Sequence, residues 1–135
     1  MRILILGCDK LVTHLVADLA QEVGHQITVM DDASDRLEGL PQVENVAAFL
    51  AAEPIIEHLR RVGINHVDAF LALSDDDNKN AMAAQVASHI FHIQEVICRI
   101  GDPLKETMYR EMGMNVIGPT TVLKDAVNRT LKGTP

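Results

Sequence analysis

The sequence has no tryptophan, one tyrosine and three phenylalanines. Its core must therefore be assembled from Leu, Ile, Val, Ala and Met, and it lacks an aromatic set on which single-stranded bases could stack. Positive charge is short as well: 12 Lys and Arg against 19 Asp and Glu leave a net charge of −7 at pH 7. An acidic chain repels phosphate backbones and anionic lipid, which argues against a nucleic-acid partner and against adsorption to a membrane. No apolar run approaches the roughly 20 residues needed to span a bilayer, so direct membrane insertion is not expected. The start, Met1 to Leu6, is too short an apolar run for a secretory signal and is ended by Gly7 and Asp9. Two cysteines, Cys8 and Cys98, form neither a disulfide framework nor a C-x-x-C motif and suit a reducing cytoplasm. In such a compartment the sequon Asn128-Arg129-Thr130 is an accident of composition.

What the chain does have is alternation. Ile3-Leu4-Ile5-Leu6 is a continuous apolar run closed by glycine, the mark of a strand buried on both faces. Leu11 to Val23 follows with Val12, Leu15, Val16 and Leu19 on one helical face, and Gly24 stops it. Ile27 to Met30 reads as the second strand, ending at Asp31-Asp32, and a short helix from Ser34 to Leu40 takes Ser34 as its N-cap. Val43 to Val46 reads as a third strand. Pro54 then opens a helix whose apolar face is Ile55, Ile56, Leu59 and Val62, and Gly63 closes it. Ala69 to Leu73 is the fourth strand and Asn78 to Phe91 a long helix. Val96 to Ile100 is the fifth strand, and a helix from Gly101-Asp102-Pro103 runs to Gly113. Asn115 to Ile117 is a short sixth strand, and Gly118-Pro119-Thr120 opens a last helix to about Leu131.

Strands alternating with helices through short loops predict an α/β fold: a Rossmann-like, doubly wound parallel sheet with helices on both faces. Right-handed crossovers leave few topologies, and the expected strand order is 3-2-1-4-5-6. With 135 residues, one domain is expected over 1–135. In such a sheet the ligand crevice opens where the order reverses, between strands one and four. Two turns face each other there, Gly7 to Val12 and Ser74 to Asn78, with Asp31 flanking the first.

A dinucleotide turn, G-x-G-x-x-G, uses its first glycine for the tight turn, its second for approach to the pyrophosphate and its third for helix–strand packing. Here the first is Gly7, but the second position is Asp9 and the third Val12. A carboxylate at the second position blocks and repels a diphosphate; Lys10 offsets charge but not lost space. Asp31 stands about 20 residues further on, where an acid binds ribose hydroxyls. The ribose end of a nucleotide site is thus kept and the phosphate end damaged. A vestigial turn that only packs is favoured over a diphosphate site, and an AMP-like ligand is left open.

The run Ser74-Asp75-Asp76-Asp77-Asn78-Lys79-Asn80 offers oxygen ligands for a hard cation, but its spacing is not that of a calcium loop. An N-cap with acids complementing the helix dipole is the better reading. His89 and His92 lack the companion ligands of a zinc site. Cys8 has no local base and sits beside Asp9, so it reads as filler rather than as a nucleophile. Arg99, a charge ending a buried strand, calls for a partner: an acid in the crevice, a neighbouring chain or a surface salt bridge. No catalytic triad, paired acid or Walker loop emerges, and an enzyme is not expected.

Together these residues resemble the TrkA N-terminal domain family, also called RCK or KTN domains, cytoplasmic regulators of potassium channels and transporters. Gly7-Cys8-Asp9-Lys10-Leu11-Val12 is similar to that family's G-C-G-R-V-G. Leu71 to Asn80 resembles V-A-V-T-x-D-D-x-x-N, the most specific of the matches. Leu59-Arg60-Arg61-Val62-Gly63-Ile64 resembles L-R-x-x-G-I, and Gly113 to Pro119 resembles G-x-x-x-V-I-x-P. The strand-two acid matches Asp31 and the arginine closing strand five matches Arg99. The family's Gly-Asp after strand three, which lies by adenine and ribose, falls here at Ala51-Ala52, a further weakening of a nucleotide site.

The resemblance implies nucleotide-contacting positions at Gly7, Cys8, Asp9, Lys10, Leu11, Asp31, Asp32, Arg36, Ser74, Asp75, Asn80 and Arg99. The ligand would be an adenine nucleotide, AMP, ADP, ATP or NAD, bound weakly through the altered turn. It further implies a dimer or higher ring formed through the later helices, about 119–132 included, either of this chain alone or mixed with an intact RCK homologue. A membrane potassium transporter or channel is the implied pore partner, and the chain is expected to be a short member without the family's usual C-terminal ligand-binding domain. The expected role is a cytoplasmic regulatory subunit of a cation uptake or channel system. An autonomous adenine-nucleotide-sensing module is the alternative. A small NAD-dependent reductase is a third reading, opposed by Asp9, Val12 and the lack of a substrate domain.

Overall fold

Side chains alternate across a strand, so Ile3-Leu4-Ile5-Leu6 needs two apolar layers, one on each face. A computed structural model of the chain, which describes residues 1–51 and 55–133 (without the side chains of Ile55 and Ile56), has both. Leu4 and Leu6 enter a cluster with Met30, Leu59, Ile64, Phe70 and Ile100, whereas Ile3 and Ile5 enter one with Val12, Val16, Ile27, Val29 and Leu37. Phe70 is the only aromatic ring among the largest fully buried side chains, as an aliphatic composition requires.

The described elements run β1 (Arg2–Leu6), α1 (Lys10–Gln21), β2 (Gln26–Asp31), α2 (Ser34–Leu37), β3 (Val46–Leu50), α3 (Ile55–Arg61), β4 (Ala69–Ala72), α4 (Asp77–Gln85), β5 (Glu95–Arg99), α5 (Pro103–Glu111), β6 (Val116–Ile117) and α6 (Pro119–Lys132). The sheet is parallel throughout, in the order β3-β2-β1-β4-β5-β6. The predicted Rossmann-like order is therefore observed. β1 lies between β2 and β4, so the chain reverses where the crevice was expected.

Several boundaries differ from the sequence reading. The third strand is Val46–Leu50 rather than 43–46. It is an edge strand, half-buried at Val46 and Phe49 and exposed at the other three positions, so its pattern is weak. Ser34 is the first residue of α2 and not its cap; the N-cap is Ala33, which makes no side-chain capping bond. The helix expected to run from Asn78 to Phe91 ends as α-helix at Gln85 and continues as a π-turn, Val86–Ile90. His92 then takes a left-handed conformation, φ 55°. Pro54 and Ala52 lie outside the described residues, as do the side chains of Ile55 and Ile56 assigned to the face of α3.

α5 and α6 pack differently from the rest. The one buried residue of α5 is Glu106, and α6 has none. Glu106 joins the two: its carboxylate accepts from the Thr121 hydroxyl at 2.7 Å and pairs with Arg110 at 2.9 Å. Gly118, the N-cap of α6, passes so close to Glu106 that a Cβ there would collide with the carboxylate. Leu104, Met108 and Met112 are left exposed, the first two along α5 and the third at its C-cap, as are Leu123, Val127 and Leu131 along α6, in each case at spacings of four.

Candidate functional site

The first turn begins at Gly7. Its φ is +102°, and a Cβ would lie 2.6 Å from the Ser74 Cα, so glycine is needed both for the backbone and for the contact with the facing turn. The Gly7 N–H donates to the Met30 carbonyl at 2.8 Å, and the Leu73 N–H to the Leu6 carbonyl at 2.8 Å, which knits β2, β1 and β4 together above their ends. The tight-turn role of the first glycine is thus retained.

Asp9 replaces the glycine that would let backbone meet pyrophosphate. It is the N-cap of α1: its Oδ1 accepts from the Val12 N–H at 3.0 Å. Its Oδ2 accepts from Arg99 Nη1 at 2.9 Å, across the end of β4. The partner that Arg99 called for is therefore the crevice acid. The Arg99 carbonyl is fixed in turn by Asn80, whose Nδ2 donates to it at 2.9 Å. The Val12 amide and the Arg99 guanidinium, the two groups here that would serve an anion, are both turned on one carboxylate. A phosphate about 4 Å from Asp9 would meet roughly 4 kcal/mol of repulsion per pair of unit charges at an effective dielectric near 20. The residues of this turn do not fit a diphosphate.

Behind the first turn, Cys8 is buried and its thiol donates to the Arg36 carbonyl at 3.3 Å. Burial, with the charges of Asp31 and Asp9, pushes the thiol up to about 11. It stays protonated at neutral pH, as suits a packing residue. Asp31 ends β2 and is buried; its Oδ2 accepts from the Ala33 N–H at 2.9 Å and from Arg36 Nε at 2.8 Å. The other arm of Arg36 donates to Asp32 at 2.6 Å. Hydrogen bonding to Asp31 raises the Arg36 guanidinium above its ordinary value. Asp31, whose spacing led to the expectation of ribose contact, is thus already paired with Arg36. Ala51, where the family's Gly-Asp would begin, is buried and donates to the Asp31 carbonyl at 2.9 Å.

The facing turn is built from its own acids. Asp76 caps α4, accepting from the Lys79 N–H at 3.1 Å. Asp77 accepts from the Gly101 and Asp102 N–H groups at 2.7 and 3.0 Å. Asn80 is fully buried, takes the Ser74 N–H and hydroxyl on its Oδ1 at 3.0 and 2.6 Å, and donates to the Ser74 carbonyl at 2.8 Å. The acidic run therefore caps and braces, as the sequence reading favoured. Among the described residues no group of three or more His, Cys, Asp or Glu is placed to hold a metal ion.

Between the turns lies a cavity of about 130 Å³. Pockets for drug-sized ligands begin at roughly 300 Å³, so this space is small for a whole nucleotide. Of the sequence candidates it is lined by Gly7, Cys8, Asp9, Asp31, Asp32, Arg36, Ser74 and Asp75. Lys10, Leu11, Asn80 and Arg99 do not line it: Lys10 and Leu11 point to solvent, Asn80 is behind the wall and Arg99 is bound to Asp9. Leu6, Asp76 and Lys79 line it as well, the last two from the run that reads in the sequence as a helix cap. Lys79 sits one position before Asn80 at the start of α4 and approaches Asp32 at 3.8 Å. Its place after a run of three acids was the available signal. Five carboxylates and two cations face the cavity, an excess of negative charge that opposes an anionic ligand.

A parallel sheet in this order, with a glycine turn and an acid flanking its switch point, defines a domain of the Rossmann nucleotide-binding class. Comparison narrows it: the chain belongs to the TrkA-N domain family, whose model matches residues 3–119. The Trk system potassium uptake protein TrkA of Streptomyces coelicolor is 30% identical over 131 residues, 97% of this chain. A TrkA homolog from Pyrococcus abyssi is 26% identical over 137 residues, again 97% of the chain. The chain spans 58% and 60% of the lengths of these two relatives. Among solved structures, a GsuK channel bound to NAD superposes with a TM-score of 0.79 at 15% identity, covering 97% of this chain and 23% of that one. The Shewanella denitrificans Kef CTD in AMP-bound form superposes with a TM-score of 0.73 at 15% identity, covering 98% and 79%. These likenesses establish the fold.

Proposed function

We propose that this chain is a regulatory, non-enzymatic domain of a potassium uptake or channel system, with a nucleotide crevice altered so that phosphorylated ligands bind weakly. The observation that carries the role is the match of nearly the whole chain to Trk system potassium uptake proteins. The small, acidic cavity and the commitment of Asp9 to Val12 and Arg99 support the weakened ligand site. A regulator of this kind works through differential stability of two assembled states, whichever subunit takes the ligand.

Assembly is supported by α5 and α6. The exposed spacing of Leu104, Met108 and Met112, and of Leu123, Val127 and Leu131, gives two apolar stripes next to one another in the chain. Such faces are commonly completed by a partner. The domain is proposed to dimerise through this region and to join a ring, alone or with a nucleotide-binding RCK homologue, at the cytoplasmic side of a membrane potassium transporter. Among the described residues no helix is long and apolar enough to cross a membrane, so attachment would pass through the transporter.

The test is affinity purification from its own cells together with light scattering of the purified chain. The expected result is recovery of a membrane potassium transporter or an RCK homologue, and a dimer or larger species at micromolar concentration. A strict monomer that recovers neither overturns the reading.

A further inference from the structure

The nucleotide that the fold leads one to expect does not fit the first turn, and the reason is a single side chain. One carboxylate oxygen of Asp9 holds the Val12 amide at the α1 N-terminus, and the other holds Arg99 at the end of β5. β4 lies between β1 and β5 in the sheet, so the carboxylate ties two elements that do not pair directly. A helix N-terminus and an arginine converging on one point form an anion site, and here the anion is covalently part of the chain. We infer that Asp9 is an internal substitute for a ligand phosphate: it fills the anion position, determines that phosphorylated ligands are rejected, and holds the α1–β5 bridge closed without any ligand.

Three independent features support this. The position is the one where a dinucleotide turn places glycine for approach to the pyrophosphate. Asp9 is held from both sides at hydrogen-bond distance, although 40% of its side chain remains exposed. The adjoining cavity, at about 130 Å³, is lined by Asp31, Asp32, Asp75 and Asp76 against Arg36 and Lys79, and both cations lie against Asp32, so carboxylates outnumber cations there. The inference rests on reading the crevice as an altered nucleotide site. It is tested on the purified domain alone, so its failure is distinct from failure of the transport role.

The experiment is calorimetric titration of the wild type, Asp9→Asn, Asp9→Gly and the double variant Asp9→Asn/Arg99→Ala with ADP, and in parallel with adenosine. Asparagine is as good an N-cap as aspartate, so Asp9→Asn keeps α1 while removing the charge. Thermal melts confirm that each variant is folded. The expected result is that Asp9→Asn binds ADP at least roughly ten-fold more tightly than the wild type and Asp9→Gly more tightly still. The double variant falls back toward the wild-type level, and adenosine affinity is the same in all four proteins. Folded Asp9 variants that bind ADP no better than wild type overturn the proposal. So does a gain that survives loss of Arg99, or an equal gain for adenosine, which would trace the effect to space rather than to the phosphate.

Discussion

The two turns that face each other across the crevice are both strand-to-helix turns, both capped by aspartate, and they divide capping and reach differently. In the Ser74–Asn80 turn the work is divided: Asp76 caps α4, Asp77 accepts from the Gly101 and Asp102 amides beyond β5, and Asn80 braces Ser74 from within. In the Gly7–Val12 turn Asp9 caps α1 and then reaches out to Arg99, 90 positions along the chain. The first arrangement uses one carboxylate for the cap and another for the reach to the loop after β5. The second joins two ends of a ligand crevice. The same residue type therefore braces backbone amides on one side and, on the proposed reading, decides ligand choice on the other, and what separates them is the partner: amides for Asp77, a guanidinium for Asp9.

The comparison can be broken most severely at the contact between the turns. Gly7→Ala adds a Cβ against Ser74 at a φ of +102°. It should cost about 3 kcal/mol in urea unfolding. A loss below about 1 kcal/mol would mean that the turns separate readily. Next is Asn80→Ala, which strands the Ser74 amide and hydroxyl together with the carbonyls of Ser74 and Arg99. It should cost about 2 kcal/mol. Asp76→Ala and Asp9→Ala sharpen the contrast. The first should cost about 1 kcal/mol as a lost cap. The second should add only a few tenths to that, since the Arg99 pair is partly exposed at 24% and 40%. Equal stability effects with unequal effects on ADP binding would be the signature of scaffold on one side and ligand selection on the other.

The smallest effect concerns pH. Burial pushes Cys8 up to about 11 and Cys98 up to about 12 from an ordinary value near 9. Above pH 9 the unfolded thiols ionise while the folded ones do not, so stability present below pH 9 is lost as pH rises toward 11. At pH 10 the loss from Cys8 should be about 1 kcal/mol relative to pH 8, and Cys8→Ala should flatten that part of the profile. A wild-type profile no steeper than that of Cys8→Ala would remove burial of the thiol as its cause.

Much of this fold is written plainly in the sequence. Ile3 to Leu6 and Ala69 to Leu73 are apolar without interruption because both sheet faces are covered, and that pattern marks the central strands; their order follows from the handedness of the crossovers. The edge is less legible: at Val46–Leu50 three of five side chains face solvent, so the apolar signal slides toward Val43. The end of α4 is hidden for the opposite reason, since Val86 and Ala87 stay buried as the helix changes to a π-turn. At the crevice, Gly7 and Asp31 are identified by spacing. The Asp9–Arg99 bond is not, because spacing says nothing about residues 90 apart. A charge at the end of a buried strand signals only that a partner exists. Asp76 and Lys79 belong to a run that reads as a helix cap, and a cap leaves the same local pattern whether or not its residues also line a cavity.

The most direct measurement of whether the first turn supplies its own anion is the amide spectrum of the wild-type domain titrated with inorganic pyrophosphate. The Val12 amide and the Arg99 side-chain resonances report the two donors that Asp9 holds. They should stay in place up to several-millimolar pyrophosphate (about the weak end of binding-constant scales) and move in Asp9→Asn. A saturable shift of both resonances in the wild type would show that a phosphate displaces Asp9, and would contradict the account.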